Sequence, residues 1–340
     1  MTFKRILPII CLAICLFAMA SVCASDANDT VMTSENSLEI DQTTKEVIAV
    51  EDDTEMTSSE EDVLTADELS FSQLNQTINR NDDGIVYLNS DYKYSDGDDS
   101  FKEGIVINRD VTIYGNGHII NGSKQSRIFQ VTGGDVVFYN ITFTNGQCDV
   151  FGGAISGKCE AINCIFNENF AKLSGGAIHK GYAVNCTFSG NTVDKFGGAM
   201  REGYAVNCTF SGNTAGNGGA MINSFAVNCT FIGNSAGTVG GAMEYGSAVN
   251  CTFINNTAYR GGCIYEGSAV NCTFINNTAS QGGAMFAGYK WGCIAQNSNY
   301  QGTANLMLKW DVNNFTSEYG SATLPMLLRN QNKDLICFIN

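Results

Sequence analysis

Apolar and polar positions alternate in short bursts along the middle of the chain, and the bursts themselves recur. In "AVNCTF", Val184, Cys186 and Phe188 alternate with Asn185 and Thr187. A period of two predicts a strand with one apolar face, here turned inward. The same six letters return at residues 205, 226, 248 and 269. Helical spacing stands out in "SFSQLNQTIN", where Phe71, Leu74 and Ile78 fall at i, i+3 and i+7 and predict an amphipathic helix.

The recurrence is nearly periodic. Cys164, Cys186, Cys208, Cys229, Cys251, Cys272 and Cys293 follow one another at steps of 22, 22, 21, 22, 21 and 21. "GGA" keeps the same beat at 152, 175, 197, 218, 240 and 282, with "GGC" at 261. A period near 22 admits a leucine-rich horseshoe or a β-helix. Leu173 is the only leucine between residues 151 and 290, which excludes the horseshoe, and the glycine-rich turns lack the aspartates of a calcium-binding β-helix. What remains is an all-β parallel β-helix solenoid of roughly 21–22 residues per coil, whose copies stack in columns about 4.8 Å apart. Three columns are expected inside: Val184, Val206, Val227, Val249 and Val270; the cysteines; and Phe166, Phe188, Phe210, Phe231, Phe253 and Phe274. Asn191, Asn213, Asn234, Asn256 and Asn277 follow the strand, where stacked amides bond along a turn. Paired glycines allow the next corner.

Around this block the chain divides by composition. Residues 1–24 read as a secretory signal, with Lys4 and Arg5, an apolar run from Ile6 and "VCA" before Ser25. An uncleaved signal is the one expected route to a membrane, because no later segment is apolar enough to span. Residues 25–69 form an acidic linker, and 70–82 a helix covering the open N-terminal end of the solenoid. Residues 83–298 make about ten coils, and 299–340 hold strands that cap the solenoid or begin a further domain. The net charge of −15 is concentrated: residues 26–68 hold fifteen acids against Lys45, and the rest of the chain 19 acids and 18 bases. A nearly neutral repeat block has no basic stripe for a phosphate backbone, so nucleic acid is not an expected partner. The acidic run reads as a solvated spacer.

Eleven of the fourteen cysteines lie beyond the signal, an odd number. Stacked copies have Cα atoms within disulfide range, but parallel side chains hold Cβ atoms about 4.8 Å apart, beyond the usual ~3.8 Å. The seven-cysteine ladder is therefore read as buried free thiols acting as small hydrophobes, which suits a reducing setting. With no CxxC pair and only His118 and His179, no metal and no cofactor is expected.

The "GGAI" and "FSGN" motifs resemble the GGA(I/L/V) and FxxN motifs of chlamydial polymorphic membrane protein repeats. The order of signal, acidic linker, "FSQLNQTIN", "GIVINRDVTIYGNGHIINGSKQSRIFQV" and GGA coils is similar to that of methanogen adhesin-like proteins, over residues 71 to about 335. The resemblance implies a right-handed parallel β-helix, a secreted or cell-surface location and an adhesin-like role. "VNNFTSEYGS" looks like the opening of the immunoglobulin-like domain that often follows in that group, and the chain departs by reaching Asn340 before such a domain closes. No catalytic motif is carried over.

One line of the coil changes while the rest repeats. After each GGAx stand His179, Arg201, Glu244, Tyr265 and Phe286, expected in one outward row. A row that differs rung by rung can encode contacts with other cells, surface glycans or envelope polymers, although drift of turn positions gives the same pattern. A structural envelope component is the first alternative: twelve N-x-S/T sequons include Asn185, Asn207, Asn228, Asn250 and Asn271 on the outward side. The second is a polysaccharide lyase or glycoside hydrolase of the pectate-lyase-like fold, which needs clustered carboxylates. Glu244, Glu266 and Arg201 are its best candidates. The other acids, Glu160, Glu168, Asp194 and Glu202, are scattered, so a non-catalytic role is expected.

The inward assignment of the cysteines has a direct test. Cys208→Val conserves volume and should cost under ~1.5 kcal/mol, whereas Cys208→Asp buries an unpaired carboxylate and should be severe. Equal melting temperatures for the two variants would refute the register of the repeat.

Overall fold

A strand in this protein pairs with its own copy one coil further on. Thr187 pairs with Thr209, Thr209 with Thr230, Thr230 with Thr252 and Thr252 with Thr273. The computed structural model describes residues 68–80 and 83–305, with strand residues 308–309 and 316–317. The chain divides into two units, Met1–Ala66 with Gln331–Asn340, and Asp67–Asn330; the described residues belong to the second. The expected signal and nearly all of the expected acidic linker lie outside them, as does most of the stretch after residue 305.

The result is a parallel β-solenoid with three faces. One sheet has eleven strands, from Leu69–Ser70 to Ile294–Gln296, and a second has seven, from Gln147–Cys148 to Thr278–Gln281. The third runs from Ile85–Tyr87 to Ala304–Asn305, and its coils contribute either one long strand, such as the bulged Ile155–Ile162, or two short ones, such as Met200–Arg201 and Tyr204–Val206. The pair Leu308–Lys309 and Thr316–Ser317 is antiparallel. Early coils are longer: Val86 pairs with Ile113, Ile113 with Phe138, Phe138 with Ala161 and Ala161 with Ala183, the spacing tightening toward the repeat.

The helix α1 (Phe71–Asn79) buries Phe71, Leu74 and Ile78 in the core. Ser70 and Gln73 close a capping box at its N-terminus. The buried Asp98 carboxylate accepts from the amides of Phe71 and Ser72 and from the Ser72 hydroxyl, tying the helix start to the next turn. Leu69–Ser70, just ahead of the helix, already pairs with Tyr92–Lys93, so the ladder begins inside the segment assigned by composition to linker and helix. Among the described residues no helix is long and apolar enough to cross a membrane.

Inside, columns of identical side chains fill the coil. Phe143, Phe166, Phe188, Phe210, Phe231, Phe253 and Phe274 stack with ring centroids 4.7–5.0 Å apart and nearly parallel planes. Across from them a column of Ile178, Met200, Met221, Met243, Ile264 and Met285 is fully buried. The valine column breaks expectation. Ala183, Ala205, Ala226, Ala248 and Ala269 point inward, while Val184, Val206, Val249 and Val270 are half-exposed and Val227 is buried at 7% exposure. The reason is the residue after each valine: Asn185, Asn207, Asn228, Asn250 and Asn271 adopt left-handed φ of 51–54°, which turns the chain and resets the alternation before the cysteine.

Polar groups in the core are also laddered. Asn213 Nδ2 donates to Asn234 Oδ1 at 2.9 Å and to Phe188 O at 3.1 Å, while its Oδ1 accepts from the backbone N and Nδ2 of Asn191. The pattern repeats from Asn169 to Asn277, fully satisfying amides that are at most 2% exposed. The described cysteines are free. Burial holds the thiols of Cys164, Cys186, Cys208 and Cys251 well above their usual range. Their sulfurs bond too: Cys208 Sγ donates to Val206 O at 3.2 Å and accepts from the Cys186 amide at 3.4 Å. Cys208→Val therefore loses an amide acceptor as well as a thiol, a cost that volume alone does not predict. At the corner, Gly197 has φ +68°, and a Cβ on Gly198 would lie 2.0 Å from Gly219 O of the next coil.

Asn213→Ala leaves the Asn191 amide, Phe188 O and Asn234 Oδ1 each short of a partner, and should cost about 2–5 kcal/mol. Asn207→Ala loses only a favourable left-handed residue, worth about 1–2 kcal/mol. Urea unfolding of the two variants checks the order.

Candidate functional site

Two columns of variable residues flank the Gly-Gly corner, one leading out of the seven-stranded sheet and one opening the third face, with Ser174, Ile222, Val239 and Glu244 among them buried. After the corner, Ser156, His179, Arg201, Ile222, Glu244, Tyr265 and Phe286 are register partners in unbroken succession. The five residues singled out in the sequence thus share one column, with Ile222 on the rung between Arg201 and Glu244. Before the corner runs a second column: Phe151, Ser174, Phe196, Asn217, Val239, Arg260 and Gln281. Sequence reasoning missed it, although its signal was present, since the residue preceding each GG also changes from coil to coil.

The columns touch diagonally at four places, where a residue before the corner meets the one after the corner on the next coil. Phe151 stacks on His179 with centroids 4.7 Å apart. Arg201 Nη1 donates to Ser174 Oγ at 3.1 Å, and its guanidinium stands 5.7 Å from the Phe151 ring centroid. Asn217 Nδ2 donates to Glu244 Oε1 at 3.2 Å. Arg260 lies over the Phe286 ring at 5.6 Å. Tyr265 and Phe286 stack at 5.6 Å with planes 3° apart.

Burial sets the charge of this surface. His179 is held down to about 4 by desolvation; Glu202 pulls the other way, and Lys180 and Arg201 reinforce the drop. It is therefore neutral at physiological pH. Glu244, 4% exposed, is raised by burial, with the Asn217 bond opposing and the Glu266 charge adding. Glu266 is exposed, one position past Tyr265, at φ 48°. Arg201 lies two rungs from Glu244, with Ile222 between, and pairs with Glu202 at 3.1 Å. Glu244, Glu266 and Arg201 thus do not converge as a trio. Among the described residues no group of three or more His, Cys, Asp or Glu side chains is placed to hold a metal.

The sequon asparagines occupy the left-handed corner beside the half-exposed valines, with Asn185, Asn207 and Asn228 exposed and Asn250 and Asn271 half-exposed. Asparagine is among the few non-glycine residues that tolerate this conformation, so the backbone explains its recurrence without reference to glycan.

These features define a parallel β-solenoid with invariant inner ladders and variable outer columns. Its sequence matches the Chlamydia polymorphic membrane protein repeat over residues 163–180. No curated protein matches it. Among solved structures, a doubly substituted pectate lyase from Xanthomonas campestris is 14% identical, with 75% of this chain and 86% of that one covered at a TM-score of 0.28. Pectate lyase II from Xanthomonas campestris pv. campestris is 12% identical, with 77% and 89% covered at a TM-score of 0.26.

Next to the variable row, Glu160 stands between Val137 and Tyr182 and is pushed by burial to about 7. The folded chain therefore keeps a proton that the unfolded chain releases above about 4.5, and stability falls as pH rises from about 4.5 to 7. Glu160→Gln should remove that part of the fall, read as a smaller loss of urea midpoint between the two ends of the window.

Proposed function

We propose that this protein is an exported, cell-surface adhesin-like protein that uses the two columns beside the Gly-Gly corner to bind other cells, surface glycans or envelope polymers without turning them over. The observation that carries this reading is the contrast between the columns. Inner positions repeat Phe, Asn, Cys and Ala coil after coil, whereas the register-matched, largely half-exposed row through His179, Arg201, Tyr265 and Phe286 differs at nearly every rung. Packing forces the repetition inside and leaves the outer row free to be specified by a partner. The polymorphic membrane protein repeat match supports a surface setting. The sequons beside the face fit an envelope protein whether or not they carry sugar.

Binding of the full chain to a panel of cells and envelope polymers, followed together with product release, tests this reading. Arg201→Ala combined with Tyr265→Ala should weaken binding about tenfold or more, as removal of interface anchors does. Thr209→Ala with Thr252→Ala, on the eleven-stranded sheet, should leave it unchanged. Uniform absence of binding would indicate a structural envelope component, and released sugar an enzyme.

A further inference from the structure

Buried polar atoms without partners are scarce in folded proteins, and each is a standing cost to the native state. Among the described residues three such atoms, Glu244 Oε2, Arg260 Nε and Gln281 Oε1, fall on the two columns of the variable face. They sit on three coils in succession, because Glu244 pairs with Tyr265, whose coil carries Arg260, and Arg260 pairs with Gln281. Earlier along the same columns the polar groups are engaged: Arg201 bonds Ser174 and Glu202, and Asn217 bonds the other oxygen of Glu244. Unused hydrogen-bonding capacity is thus gathered at one end of the face.

The three atoms ask for a ligand of definite chemistry. Arg260 Nε only donates and Gln281 Oε1 only accepts, while a carboxyl oxygen accepts when ionised and donates when protonated. Sugar hydroxyls do both. Arg260 and Gln281 are half-exposed, so a rotamer change brings their unused atoms to the surface, and the missing bonds make the inward rotamers less costly to leave. End-to-end linked pyranose rings rise by much the same step as successive coils, which lets one ring address one coil. Charge narrows the class further. The carboxyls of Glu244 and Glu266 lie close enough to act on each other, and two carboxyls on the coils that carry the Arg260 guanidinium disfavour polyuronates.

We propose that the coils carrying Glu244, Arg260 and Gln281 form a saccharide subsite for a neutral, hydroxyl-rich oligosaccharide lying along the solenoid axis. This rests on the reading of the face as a binding surface and names what it binds.

Calorimetric titration of the full chain with cellohexaose, mannohexaose, chitohexaose and hexagalacturonate tests it. Saturable binding of at least one neutral hexasaccharide, with hexagalacturonate weaker, is expected. Gln281→Leu should lower that affinity about tenfold while leaving Tm unchanged or higher, since it removes an unpaired buried oxygen; a residue with a merely structural role would lower Tm. Failure of every neutral hexasaccharide to bind, preference for hexagalacturonate, or full affinity in both Gln281→Leu and Glu244→Gln would overturn the subsite. Hexasaccharide binding without adhesion to any cell or polymer would remove the adhesin reading and keep the subsite. Adhesion without binding of any neutral hexasaccharide would do the reverse.

Discussion

Everything in this solenoid depends on each side chain packing against its own copy one coil away. The asparagine ladder is the strictest case. Each buried amide receives from the amide before it and gives to the amide after it, so no member is satisfied alone. A buried polar network of this kind stabilises when complete and is costly when broken. Phenylalanine rings, thiols and corner glycines obey the same rule in weaker form, since an odd residue in any column disturbs both neighbours. Near-identity of sequence is what such a ladder requires.

Where the rule relaxes, chemistry becomes available. Side chains that leave the Gly-Gly corner on its outer side also meet a diagonal neighbour in the other column, and that neighbour varies too. The face therefore accommodates a neutral imidazole on Phe151, a guanidinium on Ser174 and a carboxyl under Asn217 in consecutive stretches of one column. Partial burial mutes its charges: His179 loses its proton readily and Glu244 keeps its own longer than an exposed carboxyl would.

Particular residues show where reading the letters succeeded and where it failed. Cys186 and Phe188 were legible as inward, because a two-residue alternation survives along the strand that follows the corner. Val184 was misread by extending that alternation backward through Asn185, whose left-handed backbone interrupts it. The methionine column went unnoticed because its members follow the corner alanines directly, where no alternating run announces a strand. The column through Arg260 and Gln281 was hidden for a different reason: its contacts run to the row after the corner on the next coil, which spacing along the chain does not show.

The sequence by itself determined the period, and the period determined the class of fold, because a near-constant interval of 21–22 residues with alternating faces leaves few ways to bury its apolar side. It also placed His179, Arg201, Glu244, Tyr265 and Phe286 on one line, since residues at equal phase in a solenoid share a column. Only the tertiary structure decided which side of the wall each valine and alanine takes, because that hangs on the φ of a single asparagine. It alone decided which polar atoms stay unpaired, because hydrogen bonds between residues a coil apart depend on diagonal distances that no spacing along the chain encodes.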